Sequence, residues 1–104
     1  MELSMIKYVI HAKLWRDKTN GNTYHSANVL DTKRHLMLPV PMHYGYGDQF
    51  IQSASNAMLK NNWIDKHLVG IDYKDIHFIV EPNCKKKDVH NFGNGLEHQA
   101  SEKY

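Results

Sequence analysis

Tyr44-Gly45-Tyr46-Gly47-Asp48 divides this chain into two kinds of sequence. Before it, apolar side chains recur with a period of two. After it, they recur with the period of a helix. The glycines permit the sharp turn that this change of direction needs. Asp48 suits the N-cap position, where a short carboxylate accepts a hydrogen bond from a free backbone N–H. From Gln49 to about Asn62 the pattern predicts one amphipathic helix. At 100° per residue, Phe50, Ile51, Ala54, Ala57 and Met58 share an arc of roughly 120° that packs on a sheet. Leu59 and Trp63 lie four residues apart on another side and need a separate cover.

Upstream, Ile6, Tyr8, Ile10, Ala12 and Leu14 alternate with Lys7, Val9, His11, Lys13 and Trp15, the signature of a strand with one buried face. Asn20-Gly21 follows, and this dipeptide signals a hairpin because both positions tolerate positive φ. Tyr24 to Thr32 is a second strand, and Asp31 to His35 a polar turn. In a third strand, Leu36, Leu38, Val40, Met42 and Tyr44 alternate with Met37, Pro39, Pro41 and His43, which buries Tyr44. Pro39 and Pro41 remove donors from the same side, so the third strand belongs at a sheet edge.

Asp65 to Asp75 reads as a loop with a short helical turn. Ile76 to Val80 is a compact, β-branched run ending at Pro82, and predicts a fourth strand. Lys85-Lys86-Lys87 opens a polar stretch whose Asn, Gly, His and Glu content predicts little order. The expected fold is therefore α+β. An antiparallel sheet of three to four strands, in the order β-β-β-α-β, carries one main helix on one face. Residues 1–84 form this domain and residues 85–104 a poorly ordered tail.

A chain of 104 residues supports one core rather than a core and a deep substrate cavity. Its net charge of +2 permits a nucleic-acid partner without demanding one. The single cysteine, Cys84, excludes an internal disulfide and cysteine-based zinc spacing, and suits a reducing cytoplasm. No apolar run reaches the roughly 18 residues of a membrane span. Met1 to Ile10 lacks the features of a signal peptide.

The eight histidines include no i, i+4 pair and no His-x-His, so no metal site is expected. Ser26 beside His25 is not a nucleophile–base pair, since strand neighbours point to opposite faces. A phosphate loop at the hinge is disfavoured, because Asp48 puts negative charge where the phosphate would sit. No catalytic residue or cofactor site is assigned. Lys7, His11, Lys13 and Trp15 share the strand face opposite the helix, where cations interleaved with an aromatic can bind phosphates and stack bases. Lys85, Lys86 and Lys87 add charge, although a lysine run is more often a solvated segment. Tyr44, Tyr46, Leu59 and Trp63 are candidate anchors for a protein partner.

The strings Lys7-Tyr8-Val9-Ile10, Lys13-Leu14-Trp15-Arg16-Asp17-Lys18 and Asn20-Gly21-Asn22-Thr23-Tyr24-His25-Ser26, with the hinge, resemble small uncharacterised proteins of phages and other mobile elements. The resemblance covers Ile6 to Trp63. It implies a small accessory protein in the host cytoplasm that binds a host protein complex, including an anti-CRISPR-like antagonism of host defence. It carries no activity to particular residues. The β-β-β-α order is also similar to double-stranded-RNA-binding modules, which implies the alternative of nucleic-acid binding through the open sheet face. The chain departs from that module in lacking an N-terminal helix and a lysine cluster at the start of its helix.

Overall fold

The alternation around Ile10 organises the computed structural model, which describes residues 6–45, 47, 49–64 and 75–94. Strands β1 (Tyr8–Asp17), β2 (Asn22–Asp31) and β3 (Leu36–Tyr44) precede helix α1 (Gln49–Lys60), strand β4 (Ile76–Glu81) and helix α2 (Lys86–Gly93). The sheet order is β3-β2-β1-β4. β1 pairs antiparallel with β2, and β2 with β3, whereas β4 runs parallel to β1. The sheet is thus mixed rather than wholly antiparallel. The α1 crossover between β3 and β4 makes a parallel strand possible, since such strands cannot be joined by a tight turn.

One face of β1 carries Ile10 and Ala12, both without exposed surface. They pack with Ala27, Val29 and Val40 of the neighbouring strands and with Phe50, Ala54 and Met58 of α1. The helical stripe predicted from the sequence is therefore the core-facing stripe. Trp63 and Leu59 are half-buried. Trp63 stacks on Tyr8 at 6.2 Å between ring centroids, accepts the Tyr8 hydroxyl bond at its carbonyl, and carries the Arg34 guanidinium over its ring.

The opposite face is not open. Residues 86–93, expected in a poorly ordered tail, form α2 and lie across it. Val89 and Phe92, three residues apart, are the buried apolar side chains of this short helix. Two strand side chains fix it: Ser26 Oγ donates to the Val89 carbonyl at 2.6 Å, and Asn28 Nδ2 to that of Phe92 at 2.7 Å. Among the described residues the structure is a helix–sheet–helix sandwich, with two helices where the sequence suggested one main helix.

β3 lies at an edge, as its prolines require. A bulge interrupts its pairing. His25 faces His43 and Ala27 faces Val40, which leaves Pro41 and Met42 opposite Ser26 alone. The extra residue moves Tyr44 to the other face of the sheet. Tyr44 is 63% exposed, not buried as strict alternation predicted. The hinge glycines do permit a sharp turn. Gly45 has φ 150° and Gly47 φ 61°, and a side chain at Gly45 would collide with Gln49 Cβ at 2.7 Å. Tyr46 and Asp48, with residues 65–74 of the loop expected over 65–75 and residues 95–104, lie outside the described residues.

Candidate functional site

The β1–β2 turn and the β4–α2 connection meet at one end of the molecule. Asp17 organises the turn: its carboxylate accepts bonds from the Thr19 and Asn20 N–H groups and from Asn20 Nδ2. Gly21, at φ 71°, closes the loop by donating to the Asp17 carbonyl at 2.7 Å. The loop therefore spans residues 18–21, and Asp17 pairs with Asn22. The β4–α2 connection is tied to the same end through Cys84 N–H, which donates to the Leu14 carbonyl at 2.8 Å.

Between these loops lies a groove of about 590 Å³. Trp15, Arg16, Asp17, Lys18 and Thr19 form one wall, and Asn83, Cys84, Lys85 and Lys86 the other. Among the described residues, four cationic residues and one carboxylate line the groove. Asp17 is held below the usual carboxylate range, first by the Asn20 side-chain bond and also by nearby Lys86. It stays ionised and turned into its own loop. Among the described residues, Arg16, Lys18 and Lys85 have no ion-pair partner. The Cys84 thiol donates to the Glu81 carbonyl, and burial pushes its pKa up, so it is a poor nucleophile at neutral pH.

An aromatic row extends from this groove across the sheet. Lys86 Nζ sits 5.5 Å from the Trp15 ring centroid. Trp15 stacks on Tyr24 at 5.4 Å with 23° between planes. Tyr24 meets Tyr44 edge-on at 5.7 Å and 73°. Register explains the row: Trp15 faces Tyr24 across β1–β2, and Tyr24 faces Tyr44 across β2–β3.

The nucleic-acid face expected from Lys7, His11, Lys13 and Trp15 is broken up by the fold. Lys7 pairs with Asp75 at 3.6 Å at the start of β1, roughly 30 Å from the groove at strand rise. His11 is bound to the Glu81 carboxylate and packs against Phe92. Lys13 is only 8% exposed, with Nζ 4.8 Å from the Phe92 centroid. The cause is α2, which covers the middle of that face. Only Trp15 reaches the groove, where it joins Lys85 and Lys86; Lys87 is exposed on α2. Of the four anchors proposed for a protein partner, Tyr44 is exposed, Leu59 and Trp63 are half-buried, and Tyr46 is outside the described residues.

Three contributors were not singled out from sequence: Arg16, Lys18 and Tyr24. A different polar pair was also missed. Buried His25 meets Ser53 Oγ through Nε2 at 2.7 Å and the Gly45 carbonyl through Nδ1 at 3.0 Å. These bonds satisfy both ring nitrogens and tie α1 to β2 and the hinge. Ser26, by contrast, points to the other face, as alternation requires. Among the described residues, no group of three His, Cys, Asp or Glu side chains could hold a metal ion. No described helix is long and apolar enough to cross a membrane. No family model matches the chain, nor does any curated protein or solved structure.

Proposed function

We propose that this protein binds nucleic acid through the groove between the β1–β2 turn and the β4–α2 connection. The supporting observation is the convergence of Arg16, Lys18, Lys85 and Lys86 beside Trp15. Cations from two distant segments line one concave surface, and the one carboxylate among its described lining residues is engaged by its own loop. Such a surface suits a phosphate backbone, which releases counterions when neutralised. The site differs from the open sheet face inferred from sequence. It shares Trp15, Lys85 and Lys86 with that inference and dispenses with Lys7, His11 and Lys13.

Titration of labelled oligonucleotides at several salt concentrations tests the proposal. Binding should weaken with salt, and replacing Lys85 and Lys86 with Ala should lower the slope of log affinity against log salt by about one unit per lost contact. Wild-type protein that binds no single strand or duplex at low salt would overturn it.

A second reading is a small accessory protein of a mobile element that binds a host protein complex, and the sheet edges offer a surface for such a protein partner. Leu36 and Met37 on β3 and Ile79 and Val80 on β4 are exposed apolar side chains on edge strands. Such positions are suited to a protein surface or an added strand. Capture from host lysate before and after nuclease treatment separates the two. A direct protein partner survives nuclease, whereas capture through nucleic acid does not.

A further inference from the structure

We infer that the groove receives single-stranded rather than duplex nucleic acid, with Tyr44 as the platform for an unpaired base. This rests on the groove being a phosphate site and assigns it a ligand class. The row Lys86–Trp15–Tyr24–Tyr44 has a cation at one end and an exposed ring at the other. Trp15 and Tyr24 are half-buried, with Trp15 already lying between Lys86 and Tyr24. Tyr44 is 63% exposed and sits on an edge strand. Its position is nevertheless fixed, by the ring contact with Tyr24 and by the next residue, Gly45, whose N–H donates to the Thr23 carbonyl at 2.9 Å.

A rigid exposed aromatic beside a cationic groove distinguishes two forms of nucleic acid by what each displays. A duplex presents phosphates and base edges, while its base faces are stacked inside. A single strand presents phosphates together with free π-faces. Stacking is tolerant of sequence because every base has such a face. The arrangement therefore adds affinity for a single strand and none for a duplex.

The test measures fluorescence anisotropy with a labelled oligothymidylate and an oligouridylate, each of roughly 12 nucleotides, within the usual site size. A duplex of the same length is the comparison. The wild type, Tyr44→Ala, Tyr44→Phe and the double variant Lys85→Ala/Lys86→Ala are titrated, with thermal unfolding to confirm that each is folded. Tyr44→Ala should weaken single-strand binding roughly ten- to hundredfold, the range for loss of one base–aromatic stack. Duplex binding should stay unchanged, and Tyr44→Phe should retain the preference. If single strand and duplex bind alike and only the lysine variant weakens both, the phosphate site stands and the single-strand assignment is overturned. A single-strand preference indifferent to Tyr44→Ala overturns the platform. Absence of binding to every probe overturns the groove as a phosphate site, and this inference with it.

Discussion

The two faces of the sheet are made by the same strands and hold their helices by different physics. Against α1 stand Ile10, Ala12, Ala27, Val29 and Val40, at most 1% exposed. Against α2, the intervening positions are His11, Lys13, Ser26 and Asn28, and the helix answers with Val89 and Phe92. Apolar burial is non-directional and grows with area. A hydrogen bond contributes only about 1 kcal/mol net but demands one geometry. The α1 face therefore supplies most of the stability, while the α2 face fixes where a short helix sits. The Asn28 Oδ1 atom illustrates the cost of a polar face, since it is buried without a partner among the described residues. By this contrast α2 should open locally at lower free energy than the whole domain unfolds.

The largest test of the contrast is on the apolar side. Phe50 is 3% exposed and packs edge-on against Phe78 at 6.1 Å. Phe50→Ala should destabilise the domain by about 3–5 kcal/mol in chemical denaturation. A loss below about 1 kcal/mol would mean that the α1 face is not the main source of stability.

A smaller effect is expected at the closest approach of α2 to the sheet. A side chain at Gly93 would place Cβ 2.7 Å from both the Val40 carbonyl oxygen and Ser26 Cβ, and 3.0 Å from Pro41 Cα. Backbone is involved, so the conflict cannot be relieved by one rotamer change. Gly93→Ala should cost about 1–3 kcal/mol through overpacking. Hydrogen exchange should accelerate at α2 amides and remain slow in α1. Equal acceleration in both helices would show that the two faces unfold as one unit.

His25 is a buried polar side chain on the apolar face and adds a pH dependence. Burial lowers its pKa below the ordinary value of 6.5, and neighbouring His43 acts in the same direction. The folded protein thus favours the neutral ring. Below pH 6.5 the unfolded chain takes up the proton more readily than the folded one, so stability falls with pH through this window. Above it the contribution is fully present. Asp17 and Asp31 are held below the carboxylate range and act in a lower window, near and below pH 4. His25→Gln should flatten the dependence below about pH 6.5, where the ordinary histidine pKa places the start of the window. Denaturant midpoints across that range check it, and an unchanged slope would remove His25 from the account.

The apolar half of this architecture was legible in the sequence and the polar half was not. Alternation through Ile10 and the stripe through Phe50 and Met58 are repeated signals, each position confirming the next. Pro39 and Pro41 marked the edge because a missing N–H has no alternative reading in a ladder. In α2, Val89 and Phe92 stand among lysine, aspartate, histidine and asparagine, too few to mark an apolar face. Its partners Ser26 and Asn28 are distant in sequence. The aromatic row depended on loop length. An Asn20-Gly21 two-residue turn would set Trp15 opposite Ser26. The Asp17-capped loop sets it opposite Tyr24 on the same face. Tyr44 was misplaced because one bulge residue reverses every later side chain.

Ser26→Ala probes the polar face with the least disturbance. The hydroxyl is fully buried, and its 2.6 Å bond ends on the Val89 carbonyl of α2. Truncation removes one hydrogen bond and little volume, so the expected loss is about 1 kcal/mol. Ala27, the next residue, lies on the apolar face and is also fully buried. Ala27→Ser would bury a hydroxyl there without a designed acceptor and should cost about 1–3 kcal/mol. The two variants exchange the chemistry of adjacent residues across the sheet. If hydrogen bonding orients α2 while burial holds α1, Ser26→Ala should speed exchange mainly at α2, and Ala27→Ser should lower global stability. A pair of variants with the same exchange pattern would show that the faces share one cooperative unit, and the division between them would fail.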